Sequence, residues 1–417
     1  MNTENLPAGE LPPSLRQRLD EVLGLCDASL RRTVETWGAD SPAPIWTEKG
    51  AWYRQPDMWT DWTPGFYAGQ MWLLSKLLKD DFWAGKAREH SRPLLPRRFD
   101  RDVHDLGFIF LSSYGRWLEQ ADEDDPVRAE LVDTMVTAAT VQSERWNGAT
   151  EEGFIYSFNG PQSLFIDIMM NVRLLFWAAA NGADPQVGAR AIEHSRTSAR
   201  YLVRCDGPAL GEDDGSVVHE AIFNTEQGRG EFRCLSTQQG YSPFTCWARG
   251  LAWALYGYAY AYGATGYGEF LETAHRCARY YLLNTPSDRV PYWDYGAPGI
   301  PDEPRDSSAA AIAGCGLMLL AGLDPQAEGA GGYLQAAIET GTALCADEYL
   351  GPASAGEEGL LLGGVYHRPR GWGVGGAVMW GDYFFLELIE RLLALDDDSL
   401  APLGPGECPV RIGNLPG

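Results

Sequence analysis

Lysine is scarce in this sequence. Lys49, Lys76, Lys79 and Lys86 are the only lysines among 33 basic residues, and 57 acidic residues give the 417-residue chain a net charge of -24. So acidic a chain lacks the basic surface that nucleic acid or an anionic membrane requires, and neither is expected as a partner. Eight cysteines (Cys26, Cys205, Cys234, Cys246, Cys277, Cys315, Cys345, Cys408) are scattered with no C-x-x-C pair. Several sit in apolar helical runs and read as reduced core residues. The six histidines (His90, His104, His194, His219, His275, His367) show no H-E-x-x-H or comparable spacing, so a metal site has no support in the sequence. No run of about eighteen apolar residues occurs. The opening MNTENLPAGELPPSLRQRLDEVLG has no basic-then-apolar signal, which makes the cytoplasm the expected compartment. Nor is there a Ser/Gly-rich or charge-run linker, so residues 1–417 read as one domain, with 1–12 and 400–417 as peripheral tails.

What the chain does have is apolar helix. Hydrophobic residues make up 45% and aromatics 12%, with 15 tryptophans, ample for a wide core. Trp and Tyr in such numbers also line sugar clefts, since a ring face packs on a pyranose while its N–H or O–H bonds hydroxyls. The stretch LFIDIMMNVRLLFWA, Leu164 to Ala178, sets Asp167 and Asn171 four residues apart, on one face of a helix that is apolar all round. A carboxyl in such surroundings is hydrogen-bonded, paired or protonated, and desolvation moves its pKa towards that of a general acid. The alternative is that Ser163 caps this helix and Asp167 ties its first turn to a loop.

The pattern recurs. Inner helices are expected to begin near residues 62, 104, 164, 246, 306 and 380, each followed by a more amphipathic helix: 82–97, 126–146, 185–204, 270–283, 332–349 and, for the last, the first helix of the chain at 14–37. A loop through Pro42, Pro44 and Pro56 follows that first helix, and residues 205–244 form a long irregular part with strand-like pieces around VVHEAIFN and EFRCLSTQQG. Repeated helical pairs cannot bury their apolar faces singly. Six inner helices ringed by six outer ones would bury them and gather the polar helix starts at one mouth, an all-α (α/α)6 toroid with short β segments in its loops; stacked pairs in an open solenoid are the alternative, against which the irregular period stands.

At that mouth Asp105, at a helix start, and Asp167, a turn inside the next helix, would form a carboxyl pair in which repulsion retains one proton. Asp61 and Asp306 read as helix caps, with Asp294 and Asp382 as further competitors. Trp62, Phe158, Trp247, Trp253, Trp293 and Trp380 are candidates for stacking on a sugar or for core packing. Arg249 either receives a carboxylate from a ligand or pairs with one of the aspartates. Gln238 and Gln239 suit sugar hydroxyls.

DWTPGF, HDLGF, the IDIMMN segment, STQQG followed by CWARGLAW, PYWDY, RDSSAAAIAGCGL and WGDYFFLE resemble, in that order, segments of the unsaturated glucuronyl hydrolases, from about residue 60 to 395. The resemblance implies a six-hairpin α/α barrel that works with neither metal nor organic cofactor. It also implies a substrate bearing a 4,5-unsaturated uronic acid at its non-reducing end, as polysaccharide lyases leave it. By motif match Asp167 would protonate carbon 4 and activate the water that adds at carbon 5, with Asp105 in support. His104, His194, Gln239, Arg249 and Trp253 would hold the unsaturated sugar, Arg249 through its carboxylate, and Trp62 would flank it. Phe158 stands where the family often has a tryptophan, the loop from Gly160 to Leu164 looks short, and Arg368 to Val378 lacks the Ser and Lys pattern that some relatives use for a sulfate. Competing readings are a rhamnose-linked variant of the same hydrolysis, a sugar epimerase working with a histidine pair such as His194 and His367, and a glycan-binding barrel without turnover.

Overall fold

The computed structural model of the protein describes residues 11–54, 61–148, 152–205, 213–225, 230–326, 329–354 and 356–397. Pro56, Cys408, the 400–417 tail and all but the last two residues of the 1–12 tail lie outside the described residues. The inner helices are α2 (Pro64–Leu78), α4 (Leu106–Phe110) continuing through a π turn (Leu111–Gly115) into α5 (Arg116–Gln120), α7 (Ile168–Ala180), α9 (Ala248–Thr265), α11 (Ser307–Leu323) and α13 (Met379–Leu393). The outer ones are α1 (Pro13–Thr36), α3 (Asp81–Ser91), α6 (Val127–Ser143), α8 (Pro185–Leu202), α10 (Gly268–Asn284) and α12 (Ala330–Leu344).

Each inner helix packs on the next, α2 on the π turn, α4 on α7, α7 on α9, α9 on α11 and α11 on α13. Contact of α13 with α2 then closes the ring. The first helix of the chain packs on the last inner one, α1 on α13, as the repeat requires. Inner helices that touch two neighbours and an outer helix have no face left for water, which is why they are apolar all round: every residue of α7 from Ile168 to Ala178 is buried. The expected toroid is therefore the observed fold. Among the described residues no helix is long and apolar enough to cross a membrane.

Four differences from the sequence reading matter. Leu164 does not begin a helix: Ser163–Phe165 is a strand, β5 in chain order after β1 (Trp46–Glu48), β2 (Ala51–Tyr53), β3 (Trp146–Asn147) and β4 (Phe154–Ile155). It pairs antiparallel with β6 (Glu220–Asn224), which pairs with β7 (Glu231–Ser236), so the long irregular part supplies a small sheet over the mouth. Asp167 consequently stands at the N-cap of α7, not a turn inside it. The second inner helix is broken by its π turn, where the Ser112 and Ser113 hydroxyls donate to the Phe108 and Ile109 carbonyls and draw them off the ladder. Asp61 caps nothing; it pairs with Arg54 and Arg97, and α2 starts after Thr63 on Pro64. The remaining strands, β8 (Val365–His367) and β9 (Trp372–Val374), form a hairpin that brings Tyr366 to the mouth.

Candidate active site

Buried aspartates cluster around the starts of the inner helices, and hydrogen bonding sorts them. Asp306 caps α11, accepting from Ser308 N and Ala309 N as well as the Ser308 hydroxyl. Asp294 accepts from Tyr241 N, Gly296 N and the Thr245 hydroxyl, and Asp382 from Leu360 N and Leu361 N. These three are spent on backbone. Asp105 and Asp167 also occupy N-cap positions, of α4 and α7, yet neither side chain caps its helix. In α7 the first N–H groups turn back to nearby carbonyls, Met169 N to Ile166 O and Met170 N to Asp167 O, which frees the Asp167 carboxyl. Both carboxyls, free of capping, line one cleft with Trp62, His104, Phe108, Phe158, Phe165, Gln238, Gln239 and Tyr366.

Both carboxyls are largely buried. Asp105 is 4% and Asp167 9% exposed. Burial pushes Asp167 up to about 7, Glu220 adding to the rise while the Arg249 charge and its own N–H oppose it. Burial and then the neighbouring Asp167 charge push Asp105 up to about 8, against the Asn171 hydrogen bond and the charges of Arg145 and Arg97. Burial thus favours the protonated form of both carboxyls. Asp167 Oδ1 is buried and has no hydrogen-bond partner among the described residues.

A neutral histidine faces each carboxyl. Phe158 N donates to His104 Nδ1 at 3.0 Å, so the proton sits on Nε2, 3.4 Å from Asp105 Oδ1. Gln238 N and Gln239 N donate to His219 Nδ1 at 3.0 and 3.2 Å, which places the His219 proton on Nε2, 3.9 Å from Asp167 Oδ2. Burial pushes His219 down to about 3, with Arg249 and His367 adding to it, and holds His104 well below the usual histidine range. Both rings are N–H donors, not cations.

Trp62 and Phe158 supply aromatic walls, Trp62 donating from Nε1 to the Tyr366 hydroxyl at 3.4 Å and Phe158 lying parallel on His104. Gln239 reaches the cleft with its Oε1 held by Arg249 Nη2 at 2.5 Å, which leaves Nε2 as the donor. The other expected contacts lie behind this layer. Arg249 is 1% exposed, between the Trp247 and Trp380 rings, and donates to Val365 O, Tyr366 O and Asp306 as well as Gln239. Of the two readings of Arg249, pairing with an aspartate is the one observed. Trp247 backs the His219 ring, and Trp253 lies under Phe108 and against Phe384. Trp293 and Trp380 are buried, with their N–H groups on Glu303 and the Ser308 hydroxyl.

His194 is the one expected site residue that the structure takes elsewhere. It lies on outer helix α8, where its Nδ1 accepts from Ile155 N and its Nε2 meets the Ser198 hydroxyl, so it pins β4 to the barrel wall. His219 occupies the cleft instead. Pairing of Phe165 with Glu220 sets it beside Asp167, a neighbourhood that a lone histidine before a strand does not announce.

No family model matches the chain. An unsaturated glucuronyl hydrolase of Bacillus sp. (strain GL1) is 35% identical over 348 residues, 80% of this chain and 86% of that one. An unsaturated chondroitin disaccharide hydrolase of Streptococcus pneumoniae is 30% identical over 390 residues, 92% of this chain and 93% of that one. The solved structure of the unsaturated glucuronyl hydrolase from Bacillus sp. GL1, described as responsible for the degradation of glycosaminoglycan, superposes with a TM-score of 0.79 at 30% identity, over 94% of this chain and 98% of that one. With sequence and fold alike along nearly its whole length, the chain belongs to the unsaturated glucuronyl hydrolase family and is a glycosidase.

Proposed function

We propose that this protein removes a 4,5-unsaturated glucuronic acid from the non-reducing end of lyase-generated oligosaccharides by hydrating the enol ether. The observation that carries the reading is Asp167: a cleft-lining, buried carboxyl that holds its proton to about pH 7, released from helix capping, with one oxygen unpartnered among the described residues. Its proton passes to carbon 4 while the ring oxygen feeds electrons to carbon 5. The carboxylate left behind takes a proton from water as the water oxygen bonds to carbon 5, and Asp167 is restored. The product is a hemiketal at carbon 5. Its ring opens to a ketone, and the acetal carbon, now a hemiacetal, releases the next sugar; one water is consumed.

In this reading His219 donates its Nε2 proton towards the Asp167 carboxylate and the attacking water. Asp105, hydrogen-bonded by Asn171 in the same cleft, supports the acid/base work of Asp167. Trp62 and Phe158 flank the sugar, and Gln239 donates to it. Arg249 acts one layer back, holding Gln239 and lending positive charge for the uronate.

The test is loss of the ultraviolet absorbance of the conjugated double bond from unsaturated disaccharides of chondroitin, hyaluronan, heparin and rhamnogalacturonan. Turnover is expected in full well below pH 7, at about half near pH 7 and lost above about pH 8, because the acid must be protonated. With no Ser or Lys between Arg368 and Val378, unsulfated disaccharides should react faster than heavily sulfated ones. Folded protein that consumes none of these substrates would overturn the proposal.

A further inference from the structure

The first N–H groups of a helix have no partner within it, and an N-cap aspartate ordinarily accepts from the residues two and three beyond it. Asp306 does so on α11. Asp105 holds the same position on α4 without doing so, because side chains from two other helices have taken its place. Gly107 N donates to Gln142 Oε1 of α6 at 3.1 Å, and Phe108 N to Asn171 Oδ1 of α7 at 2.9 Å. The other end of the Asn171 amide donates to Asp105 Oδ1 and to the Asp167 carbonyl, both at 3.3 Å. A short side chain spans these groups only because α4 and α7 touch backbone to backbone: a Cβ on Gly107 would lie 2.5 Å from Asn171 Cα.

We infer that Gln142 and Asn171 are positioning residues that cap α4 in place of Asp105 and so keep its carboxyl turned to the cleft. Without Asn171, the Phe108 N–H stands where an N-cap side-chain oxygen finds it, and Asp105 turns from the cleft to cap its own helix. Gln142 acts through its oxygen alone, since its Nε2 has no hydrogen-bond partner among the described residues. The inference rests on the proposed role of Asp105.

The test combines kinetics with a double-mutant cycle, using an unsaturated disaccharide that the wild-type enzyme turns over. Asn171→Ala is expected to lower kcat by about 10²-fold, the scale of a misplaced catalytic group. KM should change little, because the sugar-flanking residues are untouched. In an Asp105→Asn background the same change should cost almost nothing further, since a residue acting through Asp105 has nothing left to position. Gln142→Ala should lower kcat in the same way, and Gln142→Glu, which keeps the acceptor, should recover most of the loss; this pair decides the matter if Asn171→Ala does not fold. A full Asn171→Ala loss in the Asp105→Asn background, unchanged kcat in the folded Asn171→Ala variant, or equal losses in both Gln142 variants would overturn the inference. Wild-type turnover by Asp105→Asn would instead overturn the role given to Asp105 itself.

Discussion

Asn at position 167 is expected to reduce turnover by about 10²–10⁴-fold, the usual worth of a positioned general acid and base, and at the same time to raise stability at alkaline pH. The first effect follows from removing the proton that begins the reaction. The second follows from burial. The folded protein binds a proton at Asp167 up to about pH 7, whereas the unfolded chain gives it up near 3.8. The stability so gained is complete below about pH 4, declines as pH rises and is gone above about pH 7, where the folded state must hold a desolvated charge. An amide carries no such charge. Relative to wild type, Asp167→Asn should therefore gain on the order of a few kcal/mol at pH 8 and almost nothing at pH 4. Thermal unfolding of both proteins at the two pH values, alongside absorbance assays, measures it. An equal difference at both pH values would mean that Asp167 is not held protonated.

Glu390 should produce the largest change in stability. It is wholly buried on α13, away from the cleft, 2.8 Å from Lys76 of α2 and 2.9 Å from Arg116 of α5. The same cations pair with Glu119, Arg116 also reaches Glu387, and Glu387 bonds Arg391 and the Tyr256 hydroxyl. The network ties α13 to α2, where the ring closes. Glu390→Ala leaves the buried Arg116 and the partly buried Lys76 each with one carboxylate fewer, and breaking a buried pair in this way costs about 3–5 kcal/mol. Denaturant unfolding should show that loss with KM unchanged below the transition. A loss under about 1 kcal/mol would mean that the remaining carboxylates or water take over.

Much of this was legible because helical periodicity is local. The apolar inner helices, their amphipathic partners and their number all follow from the repeat, and each observed inner helix starts within four residues of its expected place. Asp167 and Asn171 could be paired by spacing alone. What escaped notice depends on contacts distant in sequence. β5 forms against a strand more than fifty residues later, so Leu164 and Phe165 passed for helix and Asp167 was placed a turn too deep. The choice between His194 and His219 turns on the same sheet, and the four acceptors of Arg249 come from three separate segments. The π turn left no sign in an apolar run.

That π turn has an evolutionary corollary. It adds a residue to one circuit of the inner helix, and each residue is worth about 100° of rotation. Asp105 on one side and Arg116 on the other therefore owe their bearings to separate helical phases. A single deletion between Leu111 and Gly115 would merge the phases and could preserve the aim of the carboxyl or that of the guanidinium, not both. Length in those five positions should accordingly be under tighter selection than their residue types.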